Sequence, residues 1–293
     1  MLFVYNPNTG GGRLRGKLMQ ILCEFTAAGY LVTVHPTAAK GDALQFTSQH
    51  ASAYDIVGCC GGDGTLNEVV NGLLQHEVPP VLGYIPGGTT NDFASSLNLP
   101  KTDMMAAAKR IVQPKKFFAF DVGMFDQRAF NYVAAFGAFT DVAYGTPQKF
   151  KNVLGYFAYI LEGIQKLPTL HPWHAVITTD DGQTIEDDFI YGMVSNSTSV
   201  AGFSFTGQKK VRLDDGLFEA VLLRHPQNLG EFRELSAALV SHNITSPSLT
   251  ALKVRSIVVS APKPISWTLD GEFGGAYEQV EIKVRQRALK ICI

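Results

Sequence analysis

Gly61-Gly62-Asp63-Gly64-Thr65-Leu66-Asn67-Glu68 follows a short β-rich run, Asp55 to Cys60, and opens a helical pattern that runs from Leu66 to Leu74. Three glycines in four residues let backbone N–H groups approach an anion closely, and the start of the following helix adds a favourable partial charge. The turn therefore suits a phosphate. An aspartate in such a loop would repel bound phosphates unless a cation lay between them, so Asp63 points to Mg²⁺ held directly or through water. The plainer alternative is a tight strand-to-helix turn in which Asp63 or Thr65 only caps the helix.

The alternation extends on both sides of this turn. Leu2 to Asn6, Leu31 to His35, Asp55 to Cys60 and Val81 to Ile85 read as strands. Between them Leu14, Leu18, Ile21, Leu22 and Phe25 fall at helical spacing, with Gly29 where a capping glycine belongs. Ala43 to His50 and Asp92 to Leu97 also read as helical. This βαβαβαβ order predicts a mostly parallel sheet covered by helices on both faces, with ligands beyond the carboxyl ends of the strands.

Two further loops belong to that edge. Pro86-Gly87-Gly88-Thr89-Thr90-Asn91-Asp92 is a second glycine turn one βα unit later, with Thr89 available for phosphate and Asp92 for the cation's waters. Asn6-Pro7-Asn8-Thr9-Gly10-Gly11-Gly12 ends the first strand in the same place. Gly11 to Lys17 reads G-x-x-x-x-G-K, but Leu18 stands where a P-loop needs its Mg²⁺-binding Ser or Thr, so a Walker-type site is rejected. Arg13, Arg15 and Lys17 are left as phosphate-neutralising side chains or as a solvated helix start.

After about residue 122 the texture changes to hairpins. Phe117 to Phe125 and Arg128 to Phe136 flank Asp126-Gln127, and Trp173 to Thr179 and Thr184 to Tyr191 flank Asp180-Asp181-Gly182. Ile190 to Ser195, Gly216 to Leu223, Leu252 to Ser260, Ile265 to Leu269, Val280 to Val284 and Ala288 to Ile293 supply more strands. Val153 to Leu167 and Leu229 to Ser241 are helical interruptions. The expected organisation is an α/β domain over 1–121 and a mainly antiparallel, β-sandwich-like domain over 122–293, the last residues returning to the first as a short tail.

Composition sets the class of function. The 293 residues are 46% hydrophobic and 17% charged, which excludes a disordered chain. Lys and Arg number 25 against 26 Asp and Glu, with no basic stripe, so nucleic acid is not the expected partner. No apolar run reaches the roughly 20 residues of a spanning helix, and the start lacks the pattern of a signal peptide; a cytoplasmic protein is expected. Cys23, Cys59, Cys60 and Cys292 lack metal-site spacing and read as reduced thiols. His171-Pro172-Trp173-His174 reads as surface.

In order along the chain, Gly61 to Thr65, Pro86 to Ala94, Asn196-Ser197 with Ala201-Gly202-Phe203, Leu213-Asp214-Asp215-Gly216, and Leu269-Asp270-Gly271-Glu272 resemble the soluble bacterial diacylglycerol kinase family of lipid kinases. The first motif alone is shared with NAD kinases and 6-phosphofructokinases; the second motif and the late Asp-Gly-Glu mark the lipid-kinase branch. The resemblance implies a Rossmann-like nucleotide domain, with ATP against Asn6, Pro7, Asn8, Thr9, Gly10, Thr37, Gly61, Gly62, Asp63, Gly64, Thr65, Leu66, Asn67 and Thr89. It implies that Asp63, Asp92 and Asp121 organise a catalytic Mg²⁺ and its waters, and that Arg212, Asp215 and Leu217 hold a structural Mg²⁺. Glu272 matches the general base that takes the lipid hydroxyl's proton, with Asp270 as a competitor for that role. At Gly87 the chain departs from the family, which carries a larger residue there.

The expected reaction is ATP-dependent phosphorylation of diacylglycerol to phosphatidic acid at the inner membrane face, by a peripherally bound homodimer. The alternatives are another lipid alcohol such as a sphingoid base or ceramide, NAD as acceptor, or a nucleotide or lipid sensor without turnover. Nine of 19 phenylalanines lie between Phe117 and Phe157, as an acyl-chain pocket or, as the better reading, an ordinary sandwich core. The 153–167 helix reads as core-facing because it lacks a basic polar face.

Overall fold

The computed structural model describes residues 1–89, 91–137, 171–196, 212–240 and 246–293. The chain forms two compact units, Met1–Val122 with Gln286–Ile293, and Gly123–Arg285.

In the first unit, strands β1 (Leu2–Tyr5), β2 (Thr33–Pro36), β3 (Ile56–Gly61) and β4 (Val81–Pro86) alternate with helices α1 (Leu18–Ala27), α2 (Asp42–His50), α3 (Asp63–Leu73) and α4 (Asp92–Ser96). The strands are parallel in the order β2-β1-β3-β4. From β1 the chain first steps outward to β2 and then crosses back to β3, so the order reverses between β1 and β3. In an open parallel sheet that reversal opens a crevice beyond the carboxyl ends of the two strands. All six residues of β3 are buried, as a strand covered on both faces requires.

The elements follow their sequence signals, with instructive differences. Helix α1 ends as its glycine predicts: Gly29 adopts φ 89, and the Tyr30 N–H reaches back to the Phe25 carbonyl at 3.2 Å. Helix α3 begins at Asp63, three residues before its apolar periodicity starts, because its first turn is laid down by the glycine loop. Helix α5 (Met104–Val112) was not anticipated. Its first turn is capped by the Asp103 carboxylate, which accepts from the N–H groups of Met105 and Ala106 at 2.9 and 3.1 Å. Its face of Met104, Ala107, Ala108 and Ile111 packs into a core with Phe3, Ile21, Phe25, Ile56 and Ile85.

Strand β5 (Phe117–Phe125) begins in the first unit, where Lys116 and Ile293 exchange backbone hydrogen bonds at 2.9 and 3.0 Å. The second unit continues with β6 (Arg128–Phe130), β7 (Val133–Gly137), β8 (Trp173–Thr179), β9 (Thr184–Ser195), β10 (Phe218–Arg224), α6 (Leu229–Val240), β11 (Leu249–Val254), β12 (Ser256–Leu269) and β13 (Glu272–Cys292). The pairings within this unit are antiparallel, in the order β11-β10-β9-β7-β12-β13, with β8 on β9 and β12, and β5 on β6. The last strand is longer than its sequence pattern indicated. The 280–284 and 288–293 runs are one strand, kinked where Arg287 adopts φ 48, and its end pairs in parallel with β4 through Ile291 and Leu82.

The described phenylalanines of the 117–157 stretch settle largely in core. Phe125 and Phe136 pack on Trp267 with centroids 5.1 and 4.9 Å apart, Phe130 lies 5.8 Å from Phe218, and Phe120 is buried in the first unit. Each such side chain is worth roughly 1.5 to 3 kcal/mol of transfer free energy. Phe139, Phe150, Phe157 and the 153–167 helical pattern lie outside the described residues. Cys59, Cys60 and Cys292 are buried free thiols and Cys23 is exposed. Burial pushes Cys60 up to about 12 and Cys292 to about 11, which leaves them inert at neutral pH.

Candidate functional site

Backbone hydrogen bonds hold the loops at the carboxyl edge of the first unit's sheet level with one another. The Asn6 N–H donates to the Cys60 carbonyl at 3.0 Å, Thr37 to Tyr5 at 2.9 Å, and Gly87 to Gly61 at 2.8 Å. Asn6 to Gly10, Thr37, Gly61 to Asn67 and Thr89 thus share one edge, and the two loops from β1 and β3 leave at the topological switch point.

The two glycine turns touch through bare backbone. A Cβ on Gly88 would come within 2.7 Å of the Gly62 Cα, and one on Gly61 within 2.5 Å of the Thr65 Cβ. At Gly87 the space is filled from the third loop: a Cβ there would lie 1.8 Å from the Thr9 γ-methyl. This explains why a small residue stands at Gly87. In that third loop Gly10, Gly11 and Gly12 all have positive φ, 64°, 64° and 91°, a run that L side chains resist. Arg13 donates from Nε to the Gly10 carbonyl at 3.0 Å, and Arg13, Arg15 and Lys17 are exposed.

Asn91 locks the second turn. Its Oδ1 accepts from the Gly88 N–H at 3.0 Å and from the Tyr84 hydroxyl at 3.4 Å, and its Nδ2 donates to the Gly88 carbonyl at 2.8 Å. It is buried and left-handed, φ 50, a conformation asparagine tolerates better than most residues. Glu68 does comparable work at the other end of the edge, accepting from the N–H groups of Gly41 and Ala43 at 2.8 and 3.1 Å and fixing the start of α2 after Thr37. Neither role was anticipated. The Asn91 role has a local signal, an asparagine three residues after a glycine; Glu68 has none, since its partners lie 27 and 25 residues away.

Asp63 and Asp92 are the first residues of α3 and α4, where helix dipoles favour negative charge. Asp121 is fully buried on β5, and its Oδ1 accepts from the Arg287 N–H at 2.7 Å. Among the described residues no trio of His, Cys, Asp or Glu side chains converges as a metal site. The chemistry of three carboxylates fits a hard cation such as Mg²⁺, which keeps several waters and takes one or two carboxylates with substrate phosphates.

In the second unit Asp270 is engaged by backbone. Its Oδ2 accepts from the Asn131 N–H at 2.7 Å, and its Oδ1 from Tyr132 and Val133 at 3.0 and 3.2 Å; its own N–H donates to the Val133 carbonyl at 2.8 Å. This clamp ties the break between β6 and β7 to the tight turn joining β12 and β13, where Asp270 and Gly271 have φ 51 and 83. Glu272, half-buried, is the first residue after that turn and pairs with Leu269.

The 212–217 turn precedes β10. Asp215 accepts from the Leu217 N–H at 3.2 Å, and Arg212 pairs with Asp214 at 3.3 Å. Near Asp215, Glu219 is 3% exposed; Lys253 reaches its Oε1 at 3.2 Å, whereas its Oε2 is buried with no hydrogen-bond partner. Burial, in the main, raises the Glu219 pKa, against the pull of Lys253. A carboxylate and carbonyl oxygens beside an orphaned carboxylate oxygen form a donor set that fits a hard cation. Ser197, Ala201-Gly202-Phe203 and Thr90 lie outside the described residues.

Glycine turns in backbone contact at the switch point of a parallel sheet are suited to a phosphate-bearing ligand such as a nucleotide. Residues 1–124 match the diacylglycerol kinase catalytic domain and residues 138–293 the YegS C-terminal NAD kinase beta sandwich-like domain. The chain is 35% identical over 274 residues to diacylglycerol kinase of Bacillus subtilis (strain 168), covering 93% of this chain and 89% of that one. It belongs to the diacylglycerol kinase family. Among solved structures, the crystal structure of a diacylglycerol kinase from Bacillus anthracis str. Sterne shares the fold, with TM-score 0.72 and 24% identity over 99% of this chain and 95% of that one. So does an NAD kinase from Archaeoglobus fulgidus in complex with ATP, with TM-score 0.55 and 14% identity over 100% and 93%. Among the described residues no helix is long and apolar enough to cross a membrane.

Proposed function

We propose that the protein is an ATP-dependent lipid kinase that transfers a phosphoryl group to the free hydroxyl of diacylglycerol, giving phosphatidic acid and ADP. The observation that carries this reading is the pair of glycine turns in backbone contact at the switch point, on a chain of the diacylglycerol kinase family. Phosphoryl transfer needs positioning and charge neutralisation more than covalent help. Gly10, Gly61 to Thr65 and Thr89 would offer N–H and hydroxyl donors to the phosphates, and Asn6 to Thr9, Thr37, Leu66 and Asn67 would line the nucleotide. Asp63, Asp92 and Asp121 would hold Mg²⁺, which when bound would neutralise charge on the phosphates. Asp215, through its carboxylate, and Arg212 and Leu217, through their carbonyls, would hold a second, structural Mg²⁺.

Glu272 accepts the proton of the attacking hydroxyl. Both Asp270 oxygens already accept from backbone N–H groups, which supports Glu272 over Asp270 as the base. An acceptor that is a membrane lipid calls for peripheral contact with the bilayer, and the family resemblance adds a homodimer at the cytoplasmic face.

The test is label transfer from γ-labelled ATP with Mg²⁺ to diacylglycerol, sphingosine and ceramide in mixed micelles and to NAD in buffer, followed by partition into organic solvent. Label entering the organic phase with diacylglycerol is the expected result. Label on sphingosine or ceramide alone would move the acceptor to another lipid alcohol, label on NAD would replace the reading, and ATP binding without transfer would make the protein a sensor.

A further inference from the structure

The Asn131 side chain, between β6 and β7, is 1% exposed, and both its Oδ1 and its Nδ2 are buried without a hydrogen-bond partner. Native chains rarely leave a buried primary amide in that condition, because its full desolvation cost is unrecovered. The backbone around it is the opposite, fully tied down. The Asn131, Tyr132 and Val133 N–H groups all go to Asp270. The Tyr132 carbonyl accepts from the Ser195 hydroxyl at 2.7 Å and from the Asn196 N–H at 3.0 Å, and Ser195 and Asn196 are themselves buried. The Asp270 clamp thus holds an unsatisfied amide at the break between β6 and β7, on the same side chain that sets the turn before Glu272.

We infer that Asn131 is a binding residue for the lipid acceptor, its carboxamide completed by the neutral oxygens of the glycerol head. The chemistry of the group selects the ligand. An amide offers two donors and an acceptor without charge, so it matches a group that both accepts and donates, a hydroxyl next to an ester carbonyl. The charge of this clamp is the Asp270 carboxylate, which disfavours an anion such as phosphate in the same place. A site built to hydrogen-bond such oxygens discriminates strongly against analogues that lack them, because its own polar atoms are then left unpaired. The inference rests on the lipid-kinase reading and adds the part of the acceptor that is read.

The experiment uses the full chain as wild type, Asn131→Leu and Asn131→Ser, with dioctanoylglycerol and a 1,2-alkanediol of matched length as acceptors, since the diol keeps the hydroxyl and lacks the esters. The expected result is a KM for dioctanoylglycerol raised about tenfold in both variants, with a much smaller change for the diol and ATP affinity within about twofold of wild type. Asn131→Leu is also expected to melt no lower than wild type, because it removes an unsatisfied amide from a buried place. An unchanged ratio of KM values between the two acceptors in a folded variant overturns the inference, as does Asn131→Leu melting several degrees lower with KM unaltered, the mark of an amide serving the fold through an ordered water. Should Asn131→Leu not fold, Asn131→Ser decides by the same KM ratio. Failure of the wild type itself to phosphorylate dioctanoylglycerol would instead overturn the lipid-kinase reading, and the inference with it.

Discussion

The Arg287 N–H donates to the buried Asp121 carboxylate at 2.7 Å, so the kink in the last strand is held by a residue 166 positions earlier. One oxygen of Asp121 therefore serves the fold, a duty distinct from the Mg²⁺ role proposed for its carboxylate. The two duties can be separated. Asp121→Asn keeps an acceptor for Arg287 and is expected to melt near wild type while losing Mg²⁺-dependent turnover. Asp121→Ala strands a buried donor and is expected to lose roughly 1 to 3 kcal/mol as well. Thermal melts set beside Mg²⁺ titrations of activity check both.

Asp270 and the proposed base Glu272 are separable in the same way. Glu272→Gln and Asp63→Ala are expected to abolish turnover with the fold intact. Asp270→Ala, which unpairs three backbone N–H groups, is expected to lower the melting temperature as well as activity. Near-normal turnover in Glu272→Gln would remove that residue as the base.

Gly87 and Thr9 form a coupled pair. Gly87→Ala puts a methyl 1.8 Å from the Thr9 γ-methyl and is expected to cost about 1 to 3 kcal/mol and weaken ATP binding. Thr9→Ser removes the obstructing methyl, so the double variant should recover most of the loss. Additive losses in that cycle would show that the two side chains do not compete for the same space.

Asn91→Ala removes the side chain that closes the second glycine turn on both its N–H and its carbonyl. A loss of roughly 2 kcal/mol is expected, with a raised Kd for ATP measured by calorimetry. Asn91→Gly restores the left-handed backbone without the hydrogen bonds, and should recover only part of either effect.

His174 sits between two carboxylates, Nδ1 3.0 Å from Asp188 and Nε2 3.3 Å from Glu186. They raise its pKa above the ordinary 6.5, Asp188 first. Because the native value is the higher one, the protonated ring's stabilisation is complete below 6.5 and is lost as pH rises through the native pKa. An NMR titration should place the His174 midpoint above 6.5, and Asp188→Asn should bring it down.

How far each part was legible depended on the range of the interaction that made it. The strands and helices of the first unit announced themselves by periodicity, and Gly29 by its capping geometry, because burial of one face and the φ of one residue are local demands. Helix α5 was missed because Met104 to Ala108 is apolar almost throughout and gives no contrast between faces, although Asp103 stood ready as a cap. The 280–284 and 288–293 runs read as two strands in the sequence, whereas the chain continues through Arg287, whose N–H is held by the Asp121 carboxylate, a partner no local pattern reveals.

The glycine turns, their aspartates and the order of motifs were determined by the sequence alone, since a phosphate cradle needs small residues at fixed spacing and spacing is what a sequence records. Tertiary structure decided which carboxylates are spent on the fold, why Gly87 must be glycine, and that Asn131 is left without a partner. Two of those depend on atoms brought together from 78 and 166 residues apart, Thr9 with Gly87 and Asp121 with Arg287, and no local pattern encodes a contact whose two halves are assigned only when the chain closes on itself.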